Sequence, residues 1–63
     1  MTGPTLRSIR RSSEVTVTDV AREMGRTRVT IHKYEGKATV PPELAVAYMD
    51  AVTAIVARRA PAA

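Results

Sequence analysis

The 63-residue sequence contains no cysteine, so disulfides and thiolate metal sites are excluded as staples. It has a single histidine, His32, which cannot build a metal site alone. There is no phosphate-cradling glycine loop and no Ser-His-acid set, and a chain this short has little room for a catalytic cleft, so no enzyme and no cofactor are expected. The longest uncharged stretches, such as Leu44–Met49 and Ala51–Ala57, fall far short of the roughly 20 residues that span a bilayer. Met1-Thr2-Gly3-Pro4 does not open an apolar secretion segment. No segment alternates like a strand, and nothing repeats. A small, cytoplasmic, single-domain binding module is expected, in a bacterium or a phage-infected host, with no membrane association. At this length folding buries roughly 60% of the surface that the unfolded chain exposes. Stability must therefore come from tight helix packing, oligomerisation or both.

Ten Lys and Arg stand against six Asp and Glu, a net charge of +4. The distribution is uneven. Residues 1–13 carry Arg7, Arg10 and Arg11 with no acid, and residues 26–37 carry Arg26, Arg28, Lys33 and Lys37 against Glu35 alone. Residues 40–57 carry only Glu43 and Asp50. One end of the folded chain should be basic and another mildly acidic, and a basic end favours a polyanionic partner.

The start and stop signals divide the chain into four helices. Met1–Pro4 reads as a flexible tail because Gly3-Pro4 opposes helix, and Thr5 then caps a first helix to about Ser12, with Leu6, Ile9 and Arg10 on one side. Thr16 stands three residues before Asp19, a capping-box spacing, with Val15 and Val20 at the positions of a hydrophobic staple. A second helix follows from Val17 to about Met24, burying Val17, Val20, Ala21 and Met24. Gly25 stops it by supplying a left-handed C′ position. Thr27 caps a third helix after a three-residue connection, Ile31 and Tyr34 point inward, and Gly36 ends it. Pro41-Pro42 opens a fourth helix that nothing breaks before Arg59. Residues 60–63 read as a C-terminal tail, which leaves an all-α domain over residues 5–59.

Two short helices joined by a glycine-containing three-residue turn describe a helix-turn-helix. Leu6-x-x-Ile9-Arg10, followed by Thr16-x-x-x-Val20-Ala21-x-x-Met24-Gly25-x-Thr27-x-x-Thr30-Ile31-x-x-Tyr34-Glu35, resembles the lambda-repressor/Cro-like helix-turn-helix family over residues 5–50. With the four helices read above, the expected fold is a compact four-helix bundle with a central helix-turn-helix and a long C-terminal helix, and the resemblance implies a sequence-specific regulator that binds double-stranded DNA. It also implies that Arg10 pairs with Glu35, tying the first helix to the third as a structural ion pair. The chain departs from the family in having Val17 where glutamine often contacts phosphate, and Arg26 where a hydrophobe is usual. It also lacks the pattern of a fifth helix.

On the third helix Arg28, Val29, His32 and Lys33 fall within roughly 140° of one another. Arg28 can fork onto guanine O6 and N7, and Val29 can touch a thymine methyl. Lys33 reaches guanine or phosphate, Thr27 offers its hydroxyl or N–H to a phosphate oxygen, and Arg26 and Lys37 add flanking charge. Without the bihelical spacing this would be an ordinary solvated face. His32 reads as a donor or acceptor toward DNA, or as an idle surface ring. On the fourth helix Leu44, Tyr48, Ala51, Val52 and Ile55 form the core stripe. Ala45, Met49 and Val56 widen the apolar sector to roughly 160°, more than one small layer needs, and mark a seam for a homodimer that can form on DNA alone. The expected role is a small Cro-type repressor. The alternatives are a protein-interaction module, or an antitoxin-like or excisionase-like accessory factor.

Overall fold

A computed structural model describes residues 1–59. Among them are four helices and no strand: α1 (Gly3–Ser12), α2 (Val17–Met24), α3 (Arg28–Glu35) and α4 (Pro42–Arg59). The expected tail at residues 60–63 lies outside the described residues. The core joins all four helices around Leu6, Val20, Ile31, Tyr48 and Val52, closed at its edges by Val15 and by Val40 of the α3–α4 loop. Val20 and Ala21 are buried as expected, whereas Val17 and Met24 are only half-buried.

The N-terminus corrects one expectation. Gly3 and Pro4 do not block helix; they begin it, with Thr2 as the N-cap whose hydroxyl accepts from Thr5 N. Proline is tolerated in a first turn because its missing N–H would have no intrahelical partner there. Nor is Met1–Pro4 a loose tail. Gly3 N donates to Lys37 O at 2.8 Å and Val40 N to Met1 O at 2.8 Å, so the segment is laced to the loop after α3. Gly3 is buried, and a Cβ built on it would lie 2.5 Å from the carbonyl oxygens of Tyr34 and Glu35. Glycine is required here for close approach of α1 to the end of α3, not for a turn.

The other boundaries follow local chemistry. Thr16 accepts from Asp19 N at 3.0 Å, but the reciprocal half of the capping box is not formed. The Asp19 carboxylate instead faces Arg59, 3.6 Å away. Gly25 adopts the left-handed conformation (φ 67°, ψ 36°), and Arg26 N closes the turn onto Ala21 O at 2.9 Å. Ala21, 4% exposed, leaves room for α3 to cross α2. Glu14, in the α1–α2 connection, also has a positive φ of 56°.

On α4 the buried set is Ala45, Tyr48, Ala51, Val52 and Ile55. Ala45 therefore belongs to the core at 5% exposure and is removed from the seam proposed for it, while Leu44 is only half-buried. The buried sector is centred nearer Tyr48 and Val52 than a stripe starting at Leu44 implies. Met49 is half-buried and Val56 is 41% exposed, so these two remain at the surface.

Candidate nucleic-acid interface

The side chains singled out from sequence, Arg26, Thr27, Arg28, Val29, His32, Lys33 and Lys37, are all exposed. α3 brings four of them together. Its inner side carries Ile31, 0% exposed, and Glu35, 5% exposed, while Val29 on the outer side is 63% exposed. At about 100° per residue, Arg28, Val29, His32 and Lys33 share that outer side and Tyr34 lies nearly opposite. Thr27 caps the helix: its hydroxyl accepts from Thr30 N at 3.2 Å and shares a hydrogen bond with Thr30 Oγ1 at 3.1 Å. The first-turn amides, which have no intrahelical acceptor, are what this end of α3 offers an anion. Lys37 follows in the loop, where its carbonyl holds Gly3 and its ammonium faces solvent. Arg26 stands apart in the turn between α2 and α3.

Two further cations join this side. Arg7 and Arg11, one helical turn apart on α1, line a cleft of about 210 Å³ together with Arg10, His32, Glu35 and Gly36. The charge run over residues 1–13 signalled them, but no helical phase alone places α1 beside the outer edge of α3.

Beneath the surface, a buried polar cluster sets the position of α3. Arg10 grips Glu35 with two parallel hydrogen bonds, Nε to Oε2 at 2.8 Å and Nη2 to Oε1 at 3.1 Å. Its remaining arm donates to Val15 O at 3.0 Å. Tyr48, 0% exposed, donates its hydroxyl to Glu35 Oε2 at 2.6 Å. One carboxylate thus ties α1, α3 and α4 together, and among the described residues no buried side-chain nitrogen or oxygen lacks a partner. Burial alone would push the Glu35 carboxyl up, but the hydrogen bonds from Arg10 and Tyr48 outweigh it and hold Glu35 below its ordinary value. The Tyr48 hydroxyl is pushed up, by burial first and by its bond to Glu35 second. The pairing with Glu35 raises Arg10. All three groups keep their neutral-pH charge states, so the cluster acts as a brace rather than a proton carrier. The Tyr48 hydroxyl was not legible from sequence, because an aromatic at core spacing reads as packing alone.

A family model described as a helix-turn-helix domain matches residues 3–61. The chain belongs to the helix-turn-helix domain family. The match begins at Gly3, where α1 begins. No curated protein and no solved structure matches the chain. Within the helix-turn-helix, α2, the Gly25 turn and α3 form the bihelical unit, and α1 and α4 hold it from behind. Membership makes the chain a DNA-binding regulator by family. Among the described residues no group of three His, Asp or Glu could hold a metal, and no helix is long and apolar enough to cross a membrane.

Proposed function

We propose that the chain is a sequence-specific transcriptional regulator that inserts α3 into the major groove of double-stranded DNA, acting as a Cro-type repressor. The observation that carries this reading is the outer side of α3, where an uncovered valine is flanked by Arg28, His32 and Lys33 while the opposite side is locked into the core. Arg28 reads guanine and Val29 a thymine methyl. His32 and Lys33 reach base edges or phosphate. The α3 N-terminal amides at Thr27, with Arg26, Lys37, Arg7 and Arg11, hold the backbone. Occupancy of a promoter then excludes the polymerase, and no chemistry is required of the chain.

Selection of bound duplexes from a random pool in moderate salt tests this, and a reproducible consensus is expected. On that consensus Arg28→Ala should weaken binding by about 1–3 kcal/mol and relax preference at one base pair, whereas Lys37→Ala should weaken consensus and random DNA alike. Retention of random duplex as tightly as any selected one would remove the reading.

The same reading includes a homodimer on DNA. Met49 and Val56 line an uncharged cleft of about 270 Å³ with Ile9, Ser13, Val52 and Thr53. In a chain with 25% charged residues that is a face suited to a second copy. Two copies on half-sites roughly 34 Å apart would also double the salt dependence given by phosphate contacts. Val56→Asp should abolish cooperative binding to a two-half-site duplex and spare single half-site binding. Unchanged cooperativity would place the dimer contact elsewhere.

A further inference from the structure

The mildly acidic segment 40–57 supplies none of the DNA contacts proposed above, yet it borders a cleft of about 490 Å³ between the C-terminal end of α2 and the N-terminal half of α4. Met24, Tyr34, Leu44 and Ala47 give it an apolar lining. Glu43, Ala47 and Asp50 stand at successive turns along one flank of α4, so the two carboxylates are about 10 Å apart along the helix axis with only a methyl group between them. Both are exposed, and among the described residues neither is in an ion pair. The third carboxylate at the cleft, Glu23, is already held by Arg58, and Arg26 stands at the turn end.

We propose that this cleft docks a cationic amphipathic helix of a partner protein, one with leucine-like side chains over Ala47 and two basic residues a heptad apart that meet Glu43 and Asp50. The charge argues for that occupant. In a chain of net charge +4 two unpaired carboxylates seven residues apart on one flank are a local reversal that repels phosphate and attracts a polycation. The spacing argues for a helix, because residues seven apart on a helix recur on nearly the same side about 10 Å apart and positions three and four between them face the same groove. Tyr34 lines the cleft from the side of α3 opposite Val29, and only Arg26, at the turn end, is shared with the proposed DNA contacts. A partner seated over Ala47 and Asp50 therefore leaves the outer side of α3 free and can be carried to an occupied operator.

The test is a proton–nitrogen NMR titration of the whole chain with two alanine-based helical peptides. One bears arginines a heptad apart with leucines at the third and fourth positions between them; the other bears glutamates in place of the arginines. The arginine peptide should shift the amides of Met24, Tyr34, Ala47 and Asp50 and leave Ile9 and Val56 unmoved, and the glutamate peptide should shift none. The double variant Glu43→Gln, Asp50→Asn should melt like the parent and bind the arginine peptide about threefold to tenfold more weakly, the scale of two exposed ion pairs. Four outcomes overturn the proposal: no shifts at millimolar arginine peptide, equal binding of both peptides, equal binding by the double variant, or shifts centred on Ile9 and Val56. Groove shifts that depend on protein concentration without any peptide would also overturn it, by making the occupant a second copy of the chain.

Discussion

The two helices of the bihelical unit are held from behind in different ways. α3 is fixed by a buried, directional cluster in which Glu35 receives three hydrogen bonds from Arg10 and Tyr48. α2 is held by apolar contact through Val20 and Ala21, with ion pairs only at its exposed edge, Glu23 with Arg58 and Asp19 with Arg59. A hydrogen-bonded cluster sets angle as well as distance, because a bidentate guanidinium–carboxylate pair tolerates little rotation. Apolar contact sets distance and permits small rolls. On the proposed reading, the helix whose side chains meet base edges is the one given angular restraint, and the helix that supports it is not.

The largest effect should come from breaking the α3 cluster. Arg10→Ala and Glu35→Ala each leave a buried, uncompensated charge, which costs about 3–5 kcal/mol. The double variant should lose less than the sum, because the second change removes the charge that the first one stranded. Urea unfolding of the four chains checks this, and additive losses would show that the pair is energetically idle.

A smaller effect should separate the two regions by pH. Glu35 is depressed in the folded chain relative to an ordinary value of 4.5. Its contribution is therefore complete above that value and is lost as pH falls through the lower, folded value. Glu23 is depressed as well, by its hydrogen bond from Arg58, but it lies in solvent, where such pairs contribute little. Glu35→Gln should flatten the acid side of the stability curve, and Glu23→Gln should leave it unchanged. Thermal melts between pH 2 and pH 6 check this, and an equal flattening by both variants would erase the distinction. On the alkaline side Tyr48, raised above 10.0, should withdraw stability only as pH climbs past that value.

Much of this arrangement was legible in the sequence, for reasons that differ by residue. The helices of the bihelical unit were marked by Thr16, Gly25 and Thr27, whose cap and turn chemistry is local and does not depend on the rest of the fold. The pairing of Arg10 with Glu35 came from family resemblance, since nothing in their 25-residue separation brings them together. Gly3 was misread because a Gly-Pro pair is ambiguous between a breaker and a helix start. Its role depends on the carbonyls of Tyr34 and Glu35, which only the folded chain places beside it. Ala45 was misread because a helical wheel gives an apolar sector but not where its centre meets the neighbours. The cleft beside Glu43 and Asp50 exists only once α2 and α4 lie together.

The smallest effect should come from the α2 edge. Arg59 donates to Ser13 O at 3.2 Å and to Glu14 O at 2.8 Å, lacing α4 to the connection in which Glu14 holds its positive φ. Arg58 contributes its bond to Glu23 alone. Both arginines are exposed to water, which can take the place of the guanidinium, so Arg58→Ala and Arg59→Ala should each lower stability far less than Glu35→Ala does. Arg59→Ala should be the larger, because it releases two carbonyls and Asp19 together. Arg59→Lys should recover only part of that loss, since an ammonium lacks the planar fork that reaches two acceptors at once. Raising the salt to about 1 M, where the screening length falls to about 3 Å, should shrink both alanine effects while leaving the coupling between Arg10 and Glu35 in place. An Arg59→Ala loss as large as that of Glu35→Ala, or one that salt does not diminish, would mean that α2 is held as directionally as α3, and the contrast between the two helices would fall.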